Sequence, residues 1–362
     1  MRPIILLSLL FLATVSAAAT LREAIAGMLI FGIQGRSVDA DPALAETIRR
    51  YGLGGVILFG KNISGPRQLR GLTDGLRRLS AQPLLIAVDQ EGGRVDRLAK
   101  LPGMHPVPSA KEMAQLPPET ASRIYDRMAA DLARLGFNCN FAPVVDLAKN
   151  PANRVIVRNG RSYGADPERV VATAKRMIDA DRRHGILSTL KHFPGHGSSR
   201  GDSHLGFTDV SGSWSAEELQ PFAKLIEAGE ADMIMSAHIY NRRLDPRYPA
   251  TLSRRTLTGL LRKRLGFRGV IVTDDMQMGA IRQNYPLEES IALAIDAGAD
   301  MLLFGNQLQR PVDPMRVIGI IEGLVRSGRI SPQRIQRSNH RIARLMEKIA
   351  HAKKPNHERG DQ

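Results

Sequence analysis

Short runs of apolar residues recur along the chain, and a segment with helical periodicity follows each of them. The runs are continuous rather than alternating, which is typical of strands that are buried on both faces of a parallel sheet. We predict eight strands, at Met28–Ile33, Gly55–Phe59, Leu84–Asp89, Asn138–Ala142, Leu187–Lys191, Met233–Ala237, Val270–Thr273 and Met301–Phe304.

Several of the intervening helices carry recognisable end signals. Asp166 and Pro167 predict a helix start, because an acidic cap accepts hydrogen bonds from free backbone amides and proline suits the first turn. Ser215 and Glu218 have the spacing of a capping box, which predicts another start.

Eight strand–helix units in one chain predict an α/β protein with a single (β/α)8 barrel over residues 20–349. The last helix is expected from about Pro332 to Ile349, followed by a polar tail at 350–362. A doubly wound open sheet is the alternative arrangement of the same units.

Residues 1–19 have the pattern of a secretory signal peptide. Arg2 supplies a positive charge, Ile4–Leu12 is a short apolar run, and Ala17 and Ala19 form a small-residue cleavage pattern. The run is shorter than the roughly 20 apolar residues that span a bilayer, so stable anchoring is not expected, although a retained N-terminal anchor is the alternative. The pattern predicts a periplasmic or secreted protein.

The chain is basic, with 51 lysines and arginines against 36 aspartates and glutamates. The basic residues are scattered and are not interleaved with aromatic residues, so we predict no nucleic-acid site. The charge is expected to form a solvated basic surface, and weak attraction to polyanions is the alternative. Cys139 is the only cysteine, which excludes an intrachain disulfide, and its apolar context predicts a buried side chain. No oligomeric state is predicted.

Ionisable residues stand at the carboxyl ends of five predicted strands. They are Asp89, Asp146, Lys191, His192, His238, Asp274 and Asp275. In a barrel these strand ends meet at one rim, where the following loops converge and substrates bind. The spacing alone therefore favours an enzyme.

The residue types at this rim argue against two classes of chemistry. His192 and His196 are separated by proline and glycine, which exclude the helix that would align two zinc ligands. The sequence also contains no G-x-S-x-G elbow for a serine nucleophile. We predict no metal and no cofactor.

Carboxylate chemistry fits the remaining groups. Asp274, at a buried strand end, can attack an electrophilic carbon or stabilise a cation, whereas Asp275 can instead cap the next helix. Asp202 and His204 are two residues apart, so the carboxylate can orient the imidazole as an acid/base pair, although this spacing also occurs at ordinary polar surfaces.

Other rim groups suit a polar ligand. Lys191, His192 and Asp89 can donate or accept hydrogen bonds with several hydroxyl groups, as a sugar site requires. We expect Glu91 to bond to backbone, with a role as an alternative acid left open, and we expect His196 to shape its glycine-rich loop rather than to react.

Four motifs together resemble those of glycoside hydrolase family 3 β-N-acetylhexosaminidases, which include the peptidoglycan-recycling β-N-acetylglucosaminidases. The motifs are AVDQEGGRVDRL, NGRSYG, KHFPGHG with DSHLG, and VTDDMQM, and the resemblance covers roughly residues 20–345. The resemblance implies a retaining mechanism with Asp274 as nucleophile and His204, oriented by Asp202, as acid/base. It also implies that the sugar is held by Asp89, Arg97, Arg161, Lys191 and His192.

The expected activity is therefore removal of terminal β-linked GlcNAc from cell-wall fragments or chitin oligosaccharides. Three alternatives stay open: a phosphorylase that uses the same intermediate, a broad β-glucosidase, and an exported wall-binding protein without catalytic activity.

Overall fold

The computed structural model describes residues 21–307 and 311–352 of the chain, and its centre is a parallel barrel. The strands are β1 (Leu29–Gly32), β2 (Gly55–Leu58), β3 (Leu85–Val88), β4 (Cys139–Asn140), β5 (Leu187–Phe193), β6 (Met233–Ser236), β7 (Val270–Thr273) and β8 (Leu302–Phe304). Each strand pairs with its neighbour in sequence, and β8 pairs with β1. A parallel bridge between Val272 and Met301 joins β7 to β8. The (β/α)8 barrel is confirmed, and the open sheet is excluded.

The strands are buried along their whole length, as their continuous apolar sequences predicted. Their bounds are mostly shorter than predicted, and β4 is reduced to two residues. In contrast, β5 continues two residues beyond its predicted end, so that Lys191 and His192 lie within a strand rather than at its last position.

Helices surround the barrel. The longer ones are α1 (Pro42–Tyr51), α2 (Pro66–Leu79), α3 (Pro118–Arg134), α4 (Pro167–Arg183), α5 (Gln220–Glu227), the π-helix α6 (Arg255–Arg264), α7 (Leu287–Ala297), α8 (Pro314–Arg326) and α9 (Pro332–Ala352). Single turns of helix lie at Ala110–Met113 and Gly279–Arg282.

The two predicted helix starts have different outcomes. Asp166 accepts hydrogen bonds from the amides of Glu168 and Arg169, which confirms the start of α4. The capping box at Ser215 and Glu218 is wrong, because the Ser215 side chain caps nothing and a 3-10 turn, Ala216–Leu219, precedes α5. Glu218 is buried and turns towards the loop after β5 instead.

Cys139 is fully buried in β4, as predicted. Its thiol contacts Thr189 Oγ1 and Met233 Sδ inside the barrel. Burial raises the pKa of the Cys139 thiol to about 12, so it is a packing residue and not a nucleophile.

The predictions for the two ends of the chain fall largely outside the described residues. Residues 1–19, where the signal peptide is predicted, lie outside the described residues. The last helix continues to Ala352, past its predicted end at Ile349, and the rest of the predicted tail lies outside the described part. No helix within 21–307 and 311–352 has both the length and the apolar character that a membrane crossing requires.

Candidate active site

A pocket of about 300 Å³ lies at the carboxyl ends of the barrel strands. Its lining includes all of the residues that the sequence assigned to the site, namely Asp89, Arg97, Arg161, Lys191, His192, Asp202, His204 and Asp274. Apolar side chains of β2, β6 and β8, which are Ile57, Met235 and Leu303, also contribute. Residues from distant parts of the sequence therefore converge on one cavity at the rim of the barrel.

Asp274 follows β7, and its backbone amide donates to the carbonyl of Ser236. Burial opposes ionisation of its carboxyl group, but electrostatic interaction with the imidazoles of His238, His192 and His204 outweighs this effect and lowers the pKa of Asp274 to about 2. The group is therefore an anion at neutral pH, the form in which a carboxylate attacks carbon.

His204 lies in the loop after β5 and is bonded to Asp202. Its Nδ1 is 2.8 Å from Asp202 Oδ1, and the same oxygen accepts its backbone N–H at 2.9 Å. The carboxylate thus fixes the ring through Nδ1, and Nε2 takes no part in this hydrogen bond. Both side chains are partly exposed at the pocket, where a proton can be exchanged.

The loop that carries His204 is docked on the segment after β7. The amide of Gly279 donates to the carbonyl of His204 at 3.0 Å, and the amide of Ala280 donates to the carbonyl of Ser203 at 3.1 Å. A Cβ atom at Gly279 would lie 2.7 Å from the His204 carbonyl oxygen, so the close approach requires glycine. These contacts bring the His204 loop and the Asp274 strand end together.

Glu91 organises the cationic side of the pocket. Its carboxylate accepts two hydrogen bonds from Arg161, at 2.7 and 2.8 Å, and lies 2.7 Å from Lys191 Nζ. Burial alone would raise the pKa of Glu91, but Arg161 and Lys191 hold it well below its usual range. The expectation that Glu91 bonds to backbone is wrong, because its position between two cations makes an ion pair the stronger interaction.

Lys191 and Arg97 connect this cluster to Asp89. Lys191 Nζ is 2.8 Å from Asp89 Oδ1, and Arg97 approaches the other carboxylate oxygen at 4.0 Å. Lys191 is almost fully buried, whereas Asp89 and Arg97 are half-buried and face the pocket. The arrangement offers both donors and acceptors to the hydroxyl groups of a ligand.

Asp146 is a further residue of the site, and sequence reasoning placed it at the rim without giving it a role. It is fully buried, its Oδ2 lies 2.7 Å from His192 Nδ1, and its Oδ1 accepts from the amides of His192 and His196. Burial opposes ionisation, but the His192 charge and these hydrogen bonds lower the pKa of Asp146. A carboxylate can only accept, so His192 Nδ1 carries its hydrogen and the ring is held in one orientation towards the pocket.

His196 shapes the loop, as predicted. Its nitrogens bond to the hydroxyls of Ser199 and Ser203, and burial lowers its pKa to about 4, so it is neutral. Glu218, which the sequence assigned to a helix cap, accepts from the amides of Gly197 and Ser198. Burial raises the pKa of Glu218 to about 7.

His238 and Asp275 support the end of β7. His238 bonds to the Thr251 hydroxyl and to the carbonyl of Asp275, so both of its ring nitrogens are engaged by the protein. Asp275 Oδ1 accepts from the amides of Gln277 and Gly305, which makes it a turn residue. Both aspartates line the pocket, and Asp275 is the one whose carboxylate is held by the amides of Gln277 and Gly305.

Among the described residues, no three histidine, cysteine, aspartate or glutamate side chains are grouped so that they could hold a metal ion. The chemistry that the geometry supports among these residues is that of an ionised carboxylate, an imidazole acid/base and a surrounding set of hydrogen-bonding groups.

Comparisons with known proteins identify the family to which these sequence motifs belong. The family described as "Glycosyl hydrolase family 3 N terminal domain" matches residues 20–345. A β-hexosaminidase of Tolumonas auensis is 40% identical over 289 residues, which are 77% of this chain and 83% of that protein.

Two solved structures have the same fold. A glycoside hydrolase family 3 β-N-acetylglucosaminidase from Paenibacillus sp. is 35% identical with a TM-score of 0.84, over 91% of this chain and 62% of that chain. A β-N-acetylhexosaminidase from Beutenbergia cavernae is 27% identical with a TM-score of 0.82, over 91% of this chain and 98% of that chain.

Proposed function

The chain belongs to glycoside hydrolase family 3, and from this premise we propose that it is a retaining exo-β-N-acetylglucosaminidase. The observation that carries the proposal is that the Asp274 carboxylate and the Asp202–His204 pair line one pocket. The relatives named above as β-hexosaminidase and β-N-acetylglucosaminidase support the sugar specificity.

The reaction proceeds in two steps. In the first step a carboxylate oxygen of Asp274 attacks the anomeric carbon while His204 gives a proton to the glycosidic oxygen, so the leaving alcohol departs and a glycosyl-aspartate forms. In the second step His204 takes a proton from water, the resulting hydroxide attacks the anomeric carbon, and the Asp274 carboxylate is released. Asp202 orients His204 in both steps through the Nδ1 hydrogen bond.

The surrounding ion pairs hold the sugar. Asp89, Lys191 and His192 supply acceptors and donors for its hydroxyl groups, and Arg97 and Arg161 complete the polar lining. The pocket volume of about 300 Å³ is at the lower end of the range for ligand sites, which supports a site for one terminal sugar residue.

The substrates we propose are cell-wall fragments or chitin oligosaccharides that end in β-linked GlcNAc, and the site of action is outside the cytoplasm. The support for export is the sequence of residues 1–19, in which Arg2 precedes the apolar run Ile4–Leu12 and small residues follow.

The test compares hydrolysis of 4-nitrophenyl β-GlcNAc and 4-nitrophenyl β-glucoside. We expect GlcNAc to be preferred, and greater activity on the glucoside would overturn the assignment. A 5-fluoro β-GlcNAc analogue should label the peptide that contains Asp274, which identifies nucleophile and sugar together.

Substitution of the nucleophile completes this test. Asp274→Ala should lower kcat by at least about a thousandfold, because covalent catalysis is lost, with the fold intact. The matched control is Asp179→Ala, which removes an exposed aspartate of α4 that pairs with Lys175, and it should keep wild-type turnover. Equal activity of Asp274→Ala and the control would assign the nucleophile elsewhere.

A second candidate function is phosphorolysis of the same glycosyl-enzyme. Arg94 and Arg154 line the pocket, are exposed, and have no hydrogen bond or ion pair with other described residues, so they could attract phosphate. A phosphorylase would release GlcNAc-1-phosphate in phosphate buffer, whereas a hydrolase releases free GlcNAc at the same rate in phosphate and in chloride.

A further inference from the structure

Two large apolar side chains are strongly exposed on the loop after β5. Leu205 is 75% exposed and Phe207 is 58% exposed, whereas the other large hydrophobic side chains of the described residues are buried or partly buried. Exposed apolar groups on a loop that contributes residues to a functional pocket mark a binding surface. Leu205 follows His204 directly in the sequence, and Phe207 is three residues after it.

The backbone beneath these side chains is fixed. The carbonyl of Asp202 accepts from the amides of Leu205 and Gly206, and the carbonyl of Leu205 accepts from Gln283 Nε2 at 3.0 Å. They act in addition to the two hydrogen bonds that dock the loop on Gly279 and Ala280. Because the hydrogen bonds involve backbone atoms of the loop, the side chains of Leu205 and Phe207 are left free to contact a ligand.

Phe207 is also oriented by a neighbour. Its ring lies 5.2 Å from the ring of Tyr240, at an interplanar angle of 40°. Such an aromatic contact restricts the ring of Phe207 while much of its surface stays accessible. The result is a preorganised apolar surface next to the proton donor.

The volume of the pocket, about 300 Å³, fits one terminal sugar better than a whole disaccharide. His204 must reach the oxygen that joins this sugar to the leaving group. The leaving group therefore extends from the pocket on the side of His204, the residue that Leu205 follows directly and that Phe207 follows by three positions.

We propose that Leu205 and Phe207 form an apolar platform for the leaving group, and that this platform selects substrates whose leaving group is a second pyranose ring. One face of a pyranose presents C–H groups, which pack against apolar and aromatic side chains. The inference rests on the proposed glycosidase function and deepens it, because it assigns recognition of the leaving group to the loop that carries the acid/base.

The experiment compares two substrates that differ in the leaving group alone, methyl β-GlcNAc and the disaccharide GlcNAc-β-1,4-GlcNAc. The measured quantity is the ratio of kcat/KM for the disaccharide to kcat/KM for the methyl glycoside. Phe207→Ser and Leu205→Ser remove apolar surface, and Phe207→Tyr is the matched control because it keeps the ring. Thermal unfolding of each variant reports whether the fold is retained.

We expect the ratio to fall about tenfold in each serine variant, because the burial of one apolar side chain against the ring is lost, and to stay within about threefold of wild type in Phe207→Tyr. An unchanged ratio in both serine variants, or an equal loss on both substrates, would overturn the platform. An unchanged ratio accompanied by a change in oligomeric state would assign the surface to a second copy of the chain. If the wild-type protein hydrolyses neither substrate, the proposed function itself fails, which is a different result from an unchanged ratio.

Discussion

Replacement of Glu91 by glutamine should destabilise the protein strongly, since this carboxylate is the common partner of two buried cations. Arg161 donates two hydrogen bonds to it, and Lys191 is 2.7 Å away. The side chains of Arg161 and Lys191 are only 12% and 2% exposed, so water compensates poorly for the lost charge.

The size of the effect follows from the surviving contacts. Removal of one partner from a buried ion pair costs about 3–5 kcal/mol, because it leaves an uncompensated charge in the interior. Lys191 keeps Asp89 as a partner, and Arg161 keeps the carbonyl of Val155 at 3.3 Å. We therefore expect the lower end of this range, about 3 kcal/mol of unfolding free energy.

The pH dependence has a definite sign. The folded-state pKa of Glu91 is depressed, so its contribution is complete above the ordinary glutamate pKa and is lost as the pH falls towards the folded value. The difference between wild type and Glu91→Gln should be constant from about pH 5 to 8 and should shrink below about pH 4.

Urea unfolding measures this difference, and Glu322→Gln is the matched control. Glu322 is equally buried, but its partners Arg22 and Arg326 are 38% and 65% exposed and can be rehydrated, so a smaller loss of about 1 kcal/mol is expected. Equal losses in the two variants, or a loss below about 1 kcal/mol in Glu91→Gln, would refute the reasoning that buried cations depend on Glu91.

Three further predictions follow from other contacts. Asp146→Asn should raise KM for 4-nitrophenyl β-GlcNAc roughly tenfold, since the NH₂ group of an amide in this place faces either the two backbone amides or His192 Nδ1, and His192 then loses its orientation or its tautomer; an unchanged KM would contradict this. Asp202→Ala should lower kcat roughly 10- to 100-fold, because His204 is no longer oriented. The unfolding free energy should change by less than about 1 kcal/mol, since the pair is largely exposed. A loss of unfolding free energy well above about 1 kcal/mol with an unchanged kcat would show a structural role instead. Burial raises the pKa of Asp181 to about 8, so the stability that its neutral form provides is lost as the pH rises towards 8. Asp181→Asn should thus gain roughly 2–4 kcal/mol relative to wild type between about pH 5 and pH 8 in urea unfolding, and a constant difference would show that Asp181 is ionised at both pH values.

The barrel could be predicted from sequence because buried parallel strands leave a simple signal. Continuous apolar runs such as Val270–Thr273 have no amphipathic alternative, and the position of Asp274 directly after one of them places it at the rim. Asp89 and Lys191 were located by the same reasoning, since each marks the carboxyl end of a predicted strand.

The partners of these residues could not be predicted in the same way. The bond between Asp146 and His192 joins the segments after β4 and within β5, and it depends on the relative heights of two strands, which composition does not report. Glu218 shows a different limit. Its spacing from Ser215 fits a helix cap, but two free amides in the loop after β5 provide partners that are distant in the sequence.

The hydrogen bonds that dock the His204 loop on the segment after β7 use main-chain carbonyls of the loop, and this has an evolutionary consequence. The side chains at positions such as 205 and 207 can be substituted without loss of these hydrogen bonds. A lineage could therefore acquire a preference for a new leaving group while it keeps the ability to cleave. Gly279 has no such freedom, because a larger residue there would push the loop outward. Variation among related enzymes should accordingly concentrate on the outer side of this loop and spare the small residue on which it rests.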